Sequence, residues 1–396
     1  MPNQFTVTQT TGYGNRIMNS IAGVFFGILL FFGSFVVLYL NEGRFDYSTL
    51  AKTATDISST SQADSSLNGK LISTSGTLSS NETVSDNLYL KAGNYIDVRR
   101  VVEMYAWKET SSSHTQQNVG GSQTTQTTYI YSTEWTDNPA DSANFKDQAG
   151  HVNPSKSLGD SDDRVTAATI GNYNIDMPDV TMPVGTKIAL DVSDTQNANL
   201  QNGYVFISAT PNSSDSVMSP QVGDLRVSYL AIPSGQSATV FGKLDEQNID
   251  PYFSQDNHRL FQIFMTTRDQ AIASLHSQYE LWLWIFRGIG FLMMFFGLLM
   301  IVSPITTVLS ILPILGEIGG MIFGLAVLPV ALILTIVTIL VSMIIHNLIA
   351  LIVALVITVL VITFFAIKLE KKIRKKPAQS INSVSPPQMN PPVPPV

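Results

Sequence analysis

The stretch RRVVEMYAWKE, Arg99 to Glu109, holds the residues whose types and spacing most suggest chemistry, since two arginines and two glutamates stand among apolar and aromatic side chains. An active site, a binding surface and a β-strand with its charges in water are all compatible with this composition. Two sets of residues alternate here, which is the periodicity of a β-strand. The first set is Val98, Arg100, Val102, Met104 and Ala106, and the second is Arg99, Val101, Glu103, Tyr105 and Trp107. The pattern therefore predicts a strand with two different faces.

A polar segment, residues 110–128, and a second strand signal, YIYSTEW from Tyr129, follow this strand. The simplest structure for the three is a long β-hairpin with the polar segment as its loop. Charges on the two strands are then placed to pair, for example Arg99 or Arg100 with Glu134. A structural hairpin and a functional cleft are the two interpretations, and the alternation favours the hairpin.

Four histidines in the middle of the chain are the other candidates for chemistry: His114, His151, His258 and His276. They are scattered, so a metal site would require residues far apart in the sequence to converge. His151, within GHVNPS, is the strongest candidate among them for a general base. A histidine between Gly and Asn-Pro is nevertheless typical of a turn rather than of a general base.

Common enzyme motifs are missing from the sequence, which contains no G-x-S-x-G, H-E-x-x-H, Walker or dinucleotide-binding string. It also contains no cysteine, which excludes disulfides, iron–sulfur clusters, thiolate zinc sites and cysteine nucleophiles. A glycosidase-like carboxylate pair leaves no spacing signature, so that alternative stays open. We predict a protein that is not an enzyme and has no catalytic, cofactor-binding or metal-binding residues.

Charge is distributed unevenly along the 396 residues, of which 45% are hydrophobic and 13% charged. Residues 41–280 carry 15 Lys/Arg against 28 Asp/Glu, whereas residues 1–40 carry only Arg16 and residues 281–367 only two charges. The sequence therefore has apolar ends around an acidic middle region. This acidity argues against nucleic acid as a partner, because phosphate binding needs a basic surface.

The first apolar segment, IAGVFFGILLFFGSFVVLYL at residues 21–40, contains no charge and matches one bilayer crossing at 1.5 Å per residue. A cleaved signal peptide is the alternative interpretation. Against it, the apolar run is longer than usual and no A-x-A site follows. We interpret the segment as an uncleaved anchor behind a short tail, residues 1–20.

The second apolar region predicts three further spans, at residues 281–303, 319–345 and 348–367. Pro304 closes the first of these, and residues 304–318, with prolines, glycines and a glutamate, indicate a cytoplasmic or re-entrant loop. A crossing by this loop would raise the number of spans to five. Arg287 lies within about one turn of the interface and is placed to extend its charge to the headgroups.

Orientation follows from six Lys/Arg in KLEKKIRKK, Lys368 to Lys376, directly after the last span. The positive-inside rule places that end in the cytoplasm. With four spans, residues 41–280 lie outside the cytoplasm and residues 1–20 inside it. The basic, proline-rich tail, residues 368–396, ends in PPQMNPPVPPV, which is typical of a disordered end or of an SH3-type ligand.

The middle region has the signals of a β-rich domain, namely short β-branched or aromatic runs separated by turn residues. Beside the hairpin these runs are GKLISTSGTL, TKIALDV, NGYVFISAT, GDLRVSYLAI and SATVFGKL. Helical spacing first occurs after residue 266, where TTRDQAIASLHSQYELW predicts a helix that runs from the domain into the second span. The predicted fold class is an integral membrane α+β protein with four transmembrane helices, one N-terminal and three C-terminal. Its large β-rich extracytoplasmic domain lies between the first and second helices.

Short strings along nearly the whole chain resemble the transmembrane protein 43 family, also called LUMA. NEGR, Asn41 to Arg44, directly follows the first span, and RRVVEMYAW and YSTEW resemble the family's E-M-Y-x-W and Y-x-T-E-W strings. GHVNPS carries its G-H-x-N-P-S element, and VGDLRVSY, from Val222, is nearly a family string. The chain departs from the family in the segment after residue 160, in the shortened loop between the second and third spans, and in the proline-rich tail.

The resemblance implies four spans, a large domain between the first and second, and cytoplasmic ends. Eukaryotic members look like organisers of the endoplasmic reticulum and inner nuclear envelope that self-associate and contact lamins and emerin. The family has no established catalytic residues to transfer. We expect this chain in the endoplasmic reticulum or nuclear envelope if it is eukaryotic and in the inner membrane if it is prokaryotic. The nuclear partners are not carried over, because the tails differ.

We predict a non-enzymatic multi-pass membrane scaffold that self-associates as a homo-oligomer. It contacts membrane lipids and engages membrane or extracytoplasmic proteins through its large domain, without nucleic acid or a cofactor. The alternative is a transporter or channel component with a large extracytoplasmic sensing domain, but few polar groups lie where a permeation path would need them. The predicted interaction surface consists of Arg99, Arg100, Glu103, Tyr105, Trp107, Glu134, Trp135, His151, Asp224 and Arg226.

Overall fold

The structure, a computed structural model, describes residues 3–211, 213–309 and 313–347, and within 313–322 it describes the backbone alone. Three single positions, Ile352, Val356 and Thr363, are also described. Apart from these positions, the predicted fourth span, residues 348–367, lies outside the described residues. The same holds for the basic tail, residues 368–396.

Four α-helices occur in the described part of the chain: α1 (Tyr13–Glu42), α2 (Tyr47–Lys52), α3 (Arg268–Leu309) and α4 (Pro313–His346). The first strands are β1 (Gln4–Thr11), β2 (Thr55–Ser58), β3 (Leu71–Ser79), β4 (Tyr95–Gln117), β5 (Gln123–Thr136), β6 (Ser161–Arg164), β7 (Ala167–Ile170), β8 (Tyr173–Asp176) and β9 (Thr186–Lys187). The others are β10 (Leu200–Gln201), β11 (Tyr204–Ile207), β12 (Leu225–Pro233), β13 (Gln236–Asp245), β14 (Asn248–Asp250), β15 (Tyr252–Phe253), β16 (Arg259–Leu260) and β17 (Gln262–Phe264).

Two sheets form the β-rich domain, as the sequence predicts. The larger has the strand order β1-β5-β4-β12-β11-β10, with β6 beside β4 and β9 beside β12. The smaller has the order β17-β13-β14-β8-β7-β3-β2, and an additional pairing of β13 with β3 closes five of its strands into a ring. Apolar side chains of both sheets, such as Ile72, Val98 and Val227, meet in one buried core. Each such side chain contributes about 1.5–3 kcal/mol through its burial.

β4 and β5 form the predicted hairpin, but its loop is much shorter than expected. Residues 110–117 and 123–128 continue the two strands, and the turn is confined to five residues in which Gly120 and Gly121 have φ of 85° and 80°. Cross-strand hydroxyl contacts between Ser and Thr side chains accompany these polar strands. The segment has no apolar alternation, which is why its composition resembles that of a loop.

We call the hairpin beyond Trp107, together with β1, the arm. At 3.3–3.4 Å per residue it extends roughly 30 Å from the rest of the β domain, which we call the body. β1 pairs antiparallel with β5, from Gln4 opposite Ile130 to Thr11 opposite Gln123. The chain then enters α1 beside the tip of the arm, where Arg16 Nη1 donates to the Gly121 carbonyl at 2.5 Å. In the predicted tail, residues 1–20, the described residues therefore form a strand followed by the first turns of a helix.

α1 and α3 pack antiparallel through a close glycine contact. A Cβ added to Gly27 would lie 2.8 Å from the Gly297 carbonyl oxygen, and one added to Gly297 would lie 2.9 Å from the Gly27 oxygen. Small residues of this kind allow two helix backbones to approach closely. Leu38, Met294 and Ala331 then form a small buried core that joins α4 to this pair.

Two helix boundaries differ from those predicted. α1 begins at Tyr13 instead of residue 21, because the polar turns before the apolar run are also helical. α3, which runs from the domain into the second span as predicted, continues through Pro304 to Leu309, and α4 begins at Pro313. Most of the predicted loop, residues 304–318, therefore has helical backbone. Proline fits the first turn of α4, where its missing N–H would have no helical partner.

Among the described residues, three helices are long and apolar enough to cross a membrane, within α1, α3 and α4. The arm extends from the body to the beginning of α1, beside a helix that is about 45 Å long. Because β1 pairs with β5, residues 4–11 cannot be separated from residues 123–130 by a bilayer. The predicted placement of residues 1–20 and 41–280 on opposite sides of the membrane stays a prediction, and it requires the arm to extend beside α1 through the depth of the bilayer.

Candidate functional site

The alternation of β4 divides the predicted interaction surface between the two faces of the larger sheet. Arg100 points into the core, and its sequence neighbours point outward. Residues directly opposite each other in an antiparallel pair share a face. Trp135 lies opposite Tyr105, and Arg226 lies opposite Glu103. The outward set is Arg99, Glu103, Tyr105, Trp107, Trp135 and Arg226.

Arg226 is the centre of what we call the outer-face cluster: Glu103, Tyr105, Trp135, Tyr204 and Arg226. Its Nε and Nη2 donate to the two carboxylate oxygens of Glu103 at 2.7 Å each. Its Cζ lies 4.9 Å from the ring centroid of Trp135 and 4.7 Å from that of Tyr204. Both members of the ion pair keep about a fifth of their side-chain exposure, 20% and 22%. The rings and the bidentate pair thus hold a guanidinium in one orientation at the surface.

Further contacts fix the rings of the outer-face cluster. The ring centroids of Tyr105 and Trp135 are 5.3 Å apart, and Thr133 Oγ1 donates to the Tyr105 hydroxyl at 2.7 Å. Lys187 Nζ lies 3.7 Å from the centroid of Tyr204. Strands from distant parts of the chain therefore build one ordered, partly exposed patch of aromatic and cationic groups. Sequence reasoning missed Tyr204 and Lys187, because no local signal pairs β9 and β11 with β12.

Arg100 belongs to a buried network, so it is not part of an interaction surface. Its Nη1 lies 3.2 Å from Asp86 Oδ2, and its Nε donates to the Gly159 carbonyl at 3.2 Å. The Tyr229 hydroxyl donates to Asp86 Oδ2, and three backbone N–H groups of residues 88–90 donate to Oδ1. Burial raises the pKa of the Asp86 carboxyl, but these hydrogen bonds outweigh it and hold that pKa below its usual value. Burial and the hydrogen bond to Asp86 raise the pKa of Tyr229.

Asp224 is also buried and shapes the turn before β12. Its carboxylate accepts hydrogen bonds from the Ala209 and Gln221 backbone N–H groups at 2.8 and 2.7 Å. Gly223, with φ of 101°, packs against Pro154, whose Cγ would lie 2.9 Å from an added Cβ. The Gly-Asp pair of VGDLRVSY therefore has a structural role, and Asp224 does not belong to a surface.

Glu134 lies on the face opposite to the outer-face cluster, because its partner across the hairpin is Ala106. Lys108 Nζ lies 2.9 Å from Glu134 Oε1, and both side chains are nearly half exposed. The predicted pairing of Glu134 with Arg99 or Arg100 is therefore wrong. Such an exposed ion pair contributes at most about 1 kcal/mol.

His151 is enclosed by aromatic rings at the base of the arm and is only 1% exposed. Its ring stacks on Tyr131 with centroids 4.0 Å apart, and its edge meets Trp107 at 4.7 Å. Its Nδ1 lies 3.2 Å from the Asp147 carbonyl oxygen. The structure thus assigns His151 a packing role, and the turn interpretation of GHVNPS is the better one.

The Asn153 side chain makes the hydrogen bonds to β4 that a neighbouring strand would otherwise make. Its Oδ1 accepts from the Trp107 N–H at 2.6 Å, and its Nδ2 donates to the Trp107 and Ala140 carbonyls at 2.9 Å each. These bonds satisfy the free edge of β4 where the arm leaves the body. We call His151 and Asn153, with the loop that carries them, the collar of the arm.

A carboxylate–tyrosine contact closes the other side of the collar. The Tyr131 hydroxyl donates to Glu109 Oε2 at 2.6 Å and accepts from the Asp147 N–H at 2.8 Å. The Lys146 N–H donates to the same oxygen of Glu109 at 2.6 Å. Burial, followed by the Glu109 hydrogen bond, raises the pKa of Tyr131 to about 12. The phenol therefore remains a neutral donor at physiological pH.

Asp97 is the described carboxyl whose pKa is raised most clearly, to about 6. Burial is the main cause, and the neighbouring Asp162 carboxylate adds to it, while Arg164 opposes it. Arg164 Nε lies 3.3 Å from Asp97 Oδ1, where β6 pairs with β4. Among the described residues, no group of three His, Asp or Glu side chains is arranged to hold a metal ion. The Asp97 group is therefore a pH-sensitive strand contact.

A second constellation, which we call the joint, lies where α1 meets α3 at the domain end of the bundle. Asn41 Nδ2 donates to the Leu283 carbonyl at 3.0 Å. Arg287 Nε and Nη2 donate to the two oxygens of Glu42 at 2.7 Å each, and the Glu42 side chain is only 3% exposed. Arg287 is thus neutralised by a partner inside the protein, which corrects the prediction that it extends to the headgroups. The Trp284 ring, with its centroid 4.9 Å from the Arg287 Cζ, covers the pair.

The other two residues of NEGR complete the joint. Gly43 packs directly against the His346 ring at the end of α4, so any side chain there would displace that ring. His346 also contacts the Tyr39 ring, with centroids 4.5 Å apart. Arg44 lies over the Phe286 ring at 5.0 Å. The sequence analysis assigned NEGR no role beyond the family resemblance. An acidic and a basic residue directly after an apolar span are the signal that could have indicated its structural role.

Comparisons with known proteins agree with the resemblance found in the sequence. The family model for Transmembrane protein 43 matches residues 104–348, more than half of the chain. A Transmembrane protein 43 homolog of Drosophila melanogaster is 28% identical over 291 residues, covering 69% of this chain and 74% of the relative. Transmembrane protein 43 of Mus musculus and that of Homo sapiens are 25% and 26% identical, each over 77% of this chain and 80% of the relative. No solved structure matches the chain. With its apolar helices, this multi-pass membrane protein belongs to the transmembrane protein 43 family.

Proposed function

We propose that the chain is a non-enzymatic membrane scaffold whose β domain binds a protein partner through the outer-face cluster. The observation that carries this proposal is Arg226, held between two aromatic rings and a carboxylate on a rigid sheet yet still partly exposed. Arg, Trp and Tyr supply most of the binding energy at protein interfaces. Because the side chains of the cluster are already ordered, they lose little conformational entropy when a partner binds.

The enzyme and transporter alternatives receive less support from the geometry. His151, the best sequence candidate for a general base, is enclosed by rings and by the collar. Arg287, the charged candidate within the second span, is paired with Glu42. Transport sites use ionisable groups that face a path, and this pair faces α1 instead. Scaffolding is the function that leaves these groups in structural roles.

The experiment is capture of partners by a photo-crosslinker placed at Arg99, on the same face as the cluster, with identification by mass spectrometry. In the chain's own membrane, Trp135→Ala should reduce the captured partner at least tenfold, since central aromatic residues contribute about 2 kcal/mol or more. Val192→Ala, an exposed apolar change elsewhere on the body, is the matched control. A partner list that is the same for both variants would contradict the proposal. Deleting residues 99–135 is unsuitable, because it removes a central strand of the core.

Self-association is the second element of the proposal, and the arm supports it. Polar strands and an open sheet edge are unstable against lipid, so an arm beside membrane helices needs a protein or water environment. A second copy that pairs along the open edge of β1 would supply that environment. Thr8→Cys on this edge should give a disulfide-linked dimer in native lipids, and Val192→Cys on the body should not. A monomeric mass for both variants would refute self-association through the arm.

For the orientation of the chain in the membrane, we keep the prediction made from its charges and add a position for the arm. The basic run after residue 367 favours a cytoplasmic C-terminal end, which places the body outside the cytoplasm. The arm then reaches from the body towards the cytoplasmic end of α1. The membrane is the inner membrane in a prokaryote or the endoplasmic reticulum and nuclear envelope in a eukaryote. Protease protection of an epitope inserted at Val119, at the exposed tip of the arm, tests this placement.

A further inference from the structure

Two cavities lie side by side where the body meets the part of α3 that leads into its apolar run. The smaller has a volume of about 290 Å³ and the larger about 550 Å³. Tyr47, Leu275 and Gln278 line both, so the two cavities adjoin. We call them together the foot cavity. Their size is comparable to that of sites for small ligands.

The foot cavity carries positive charge, although residues 41–280 as a whole are acidic. Arg44 lines the smaller cavity and Arg259 the larger. Among the described residues, no carboxylate lies within 4.0 Å of either guanidinium. The nearby carboxylates are already engaged, since Asp46 contacts His276 at 2.9 Å and Glu42 binds Arg287. Arg44 is held by the Phe286 ring, and Arg259 donates one N–H to a backbone carbonyl. Their other N–H groups are therefore available to an anion.

The position of the cavity points to the bilayer as the source of that anion. Tyr279 and Trp282 line the smaller cavity, and Trp284 follows two residues after Trp282 on the same helix. Trp282 and Trp284 are 48% and 66% exposed, at the beginning of the apolar run of α3. Exposed Trp and Tyr at the end of a span mark the depth of the lipid headgroups. The smaller cavity therefore opens at headgroup level.

We propose that the foot cavity binds the headgroup of one anionic phospholipid from the adjoining leaflet. The phosphate rests against Arg44, within reach of the Tyr279 hydroxyl and of the His258 ring, which Phe45 holds by stacking at 3.7 Å. The rest of the headgroup extends into the larger cavity towards Arg259, and the acyl chains stay in the bilayer beside α3. A zwitterionic headgroup would bring its own cation to the two arginines and bind more weakly. This site is separate from the outer-face cluster, so the proposed partner interface does not depend on it.

The experiment is native mass spectrometry of the full-length chain released from nanodiscs that contain equal amounts of phosphatidylglycerol and phosphatidylcholine. The unaltered chain should retain one phosphatidylglycerol. Arg44→Gln should weaken that retention about tenfold or more, the usual effect of losing a hydrogen bond to a charged group. Arg44→Lys should restore it in part, and Arg44→Gln with Arg259→Gln should abolish it. Lys146→Gln, which removes an exposed charge far from the cavity, should have no effect.

Three results would overturn the proposal. The first is equal retention of phosphatidylglycerol by Arg44→Gln and Lys146→Gln at matched melting temperatures. The second is equal retention of the two lipids by the unaltered chain. The third is displacement of the lipid by millimolar glycerol phosphate, which would assign the cavity to a soluble phosphate compound. Loss of the lipid with partner capture intact would separate this site from the proposed interface.

Discussion

The pairing of β1 with β5 can be tested by introducing a disulfide, because the natural chain has no cysteine that could form other bonds. Thr10 and Thr124 lie directly opposite each other, with their Oγ1 atoms 3.2 Å apart. Replacing both by cysteine places two thiols where a disulfide requires little movement of the backbone. Because the natural chain has no cysteine, any disulfide within one chain joins these two positions.

The size of the effect follows from the length of chain that the disulfide closes. The two positions are 114 residues apart. Chain-entropy arguments give about 4–5 kcal/mol of stabilisation for a loop of this length, less any strain in the folded state. We therefore expect the oxidised Thr10→Cys/Thr124→Cys variant to unfold at a clearly higher temperature than its reduced form. A single-cysteine variant should show no such difference.

The assay compares oxidised and reduced protein in nanodiscs by gel mobility and by thermal unfolding. Thr10→Cys with Thr125→Cys is the matched control, because neighbouring residues of β5 point to opposite faces of the sheet. Rapid, nearly complete oxidation of the first pair and slow oxidation of the second is the expected result. Equal rates, or no oxidation of either pair, would show that β5 does not pair with β1 in a membrane. The bilayer would then separate residues 1–20 from the domain, as the sequence alone predicts.

Three further predictions concern the joint, the helix contact and the pH-sensitive strand. Glu42→Gln and Arg287→Met should each lower the free energy of unfolding by about 3–5 kcal/mol, because each leaves a buried charge without its partner. The double variant should lose less than the sum of the two. Strictly additive losses, measured by unfolding in detergent, would contradict a buried pair. Gly297→Leu should separate α1 from α3 and lower the melting temperature, whereas Gly288→Leu, with open space around it, should not; equal losses would argue against the glycine contact. With its pKa raised to about 6, Asp97 binds its proton more strongly in the folded state, so stability should fall by up to about 3 kcal/mol as pH rises from about 4 to about 6. Asp97→Asn should lack this fall, and unfolding curves at both pH values measure it.

Local patterns predicted the elements of the fold better than their connections. Alternation identified β4, and short β-branched runs identified β3, β11, β12 and β13, because each strand carries its own pattern of burial. TKIALDV was less successful: only Thr186 and Lys187 form a strand there. The polar strands of the arm were missed, because they bury no face and so leave no alternation to detect. Pairing between β1 and β5 joins residues more than a hundred positions apart, which no local pattern records.

The candidate site shows the same division between local and distant information. The alternation of β4 placed Glu103 and Tyr105 on one face, where the structure has them, and Trp135 of β5 shares that face. A partner-binding role for this face stays a proposal. It also selected Arg100 and Asp224, since charged residues near aromatic ones look alike whether their partner is water or a buried Tyr229. Burial of a charge depends on a partner elsewhere in the chain. Only the folded structure supplies that partner.

The strings that resemble the family lie in separate parts of the fold, an arrangement that agrees with the proposed scaffold function. In an enzyme, such strings usually supply residues that converge on one cavity. Here NEGR holds α1 to α3, GHVNPS forms the collar of the arm, and YSTEW and VGDLRVSY contribute Trp135 and Arg226 to the sheet face. Their side chains mostly bind other parts of the same chain, and these contacts fix the bundle, the arm and the sheet relative to one another. Such contacts hold the outer-face cluster at a set position relative to the membrane helices, which the proposed scaffold function requires.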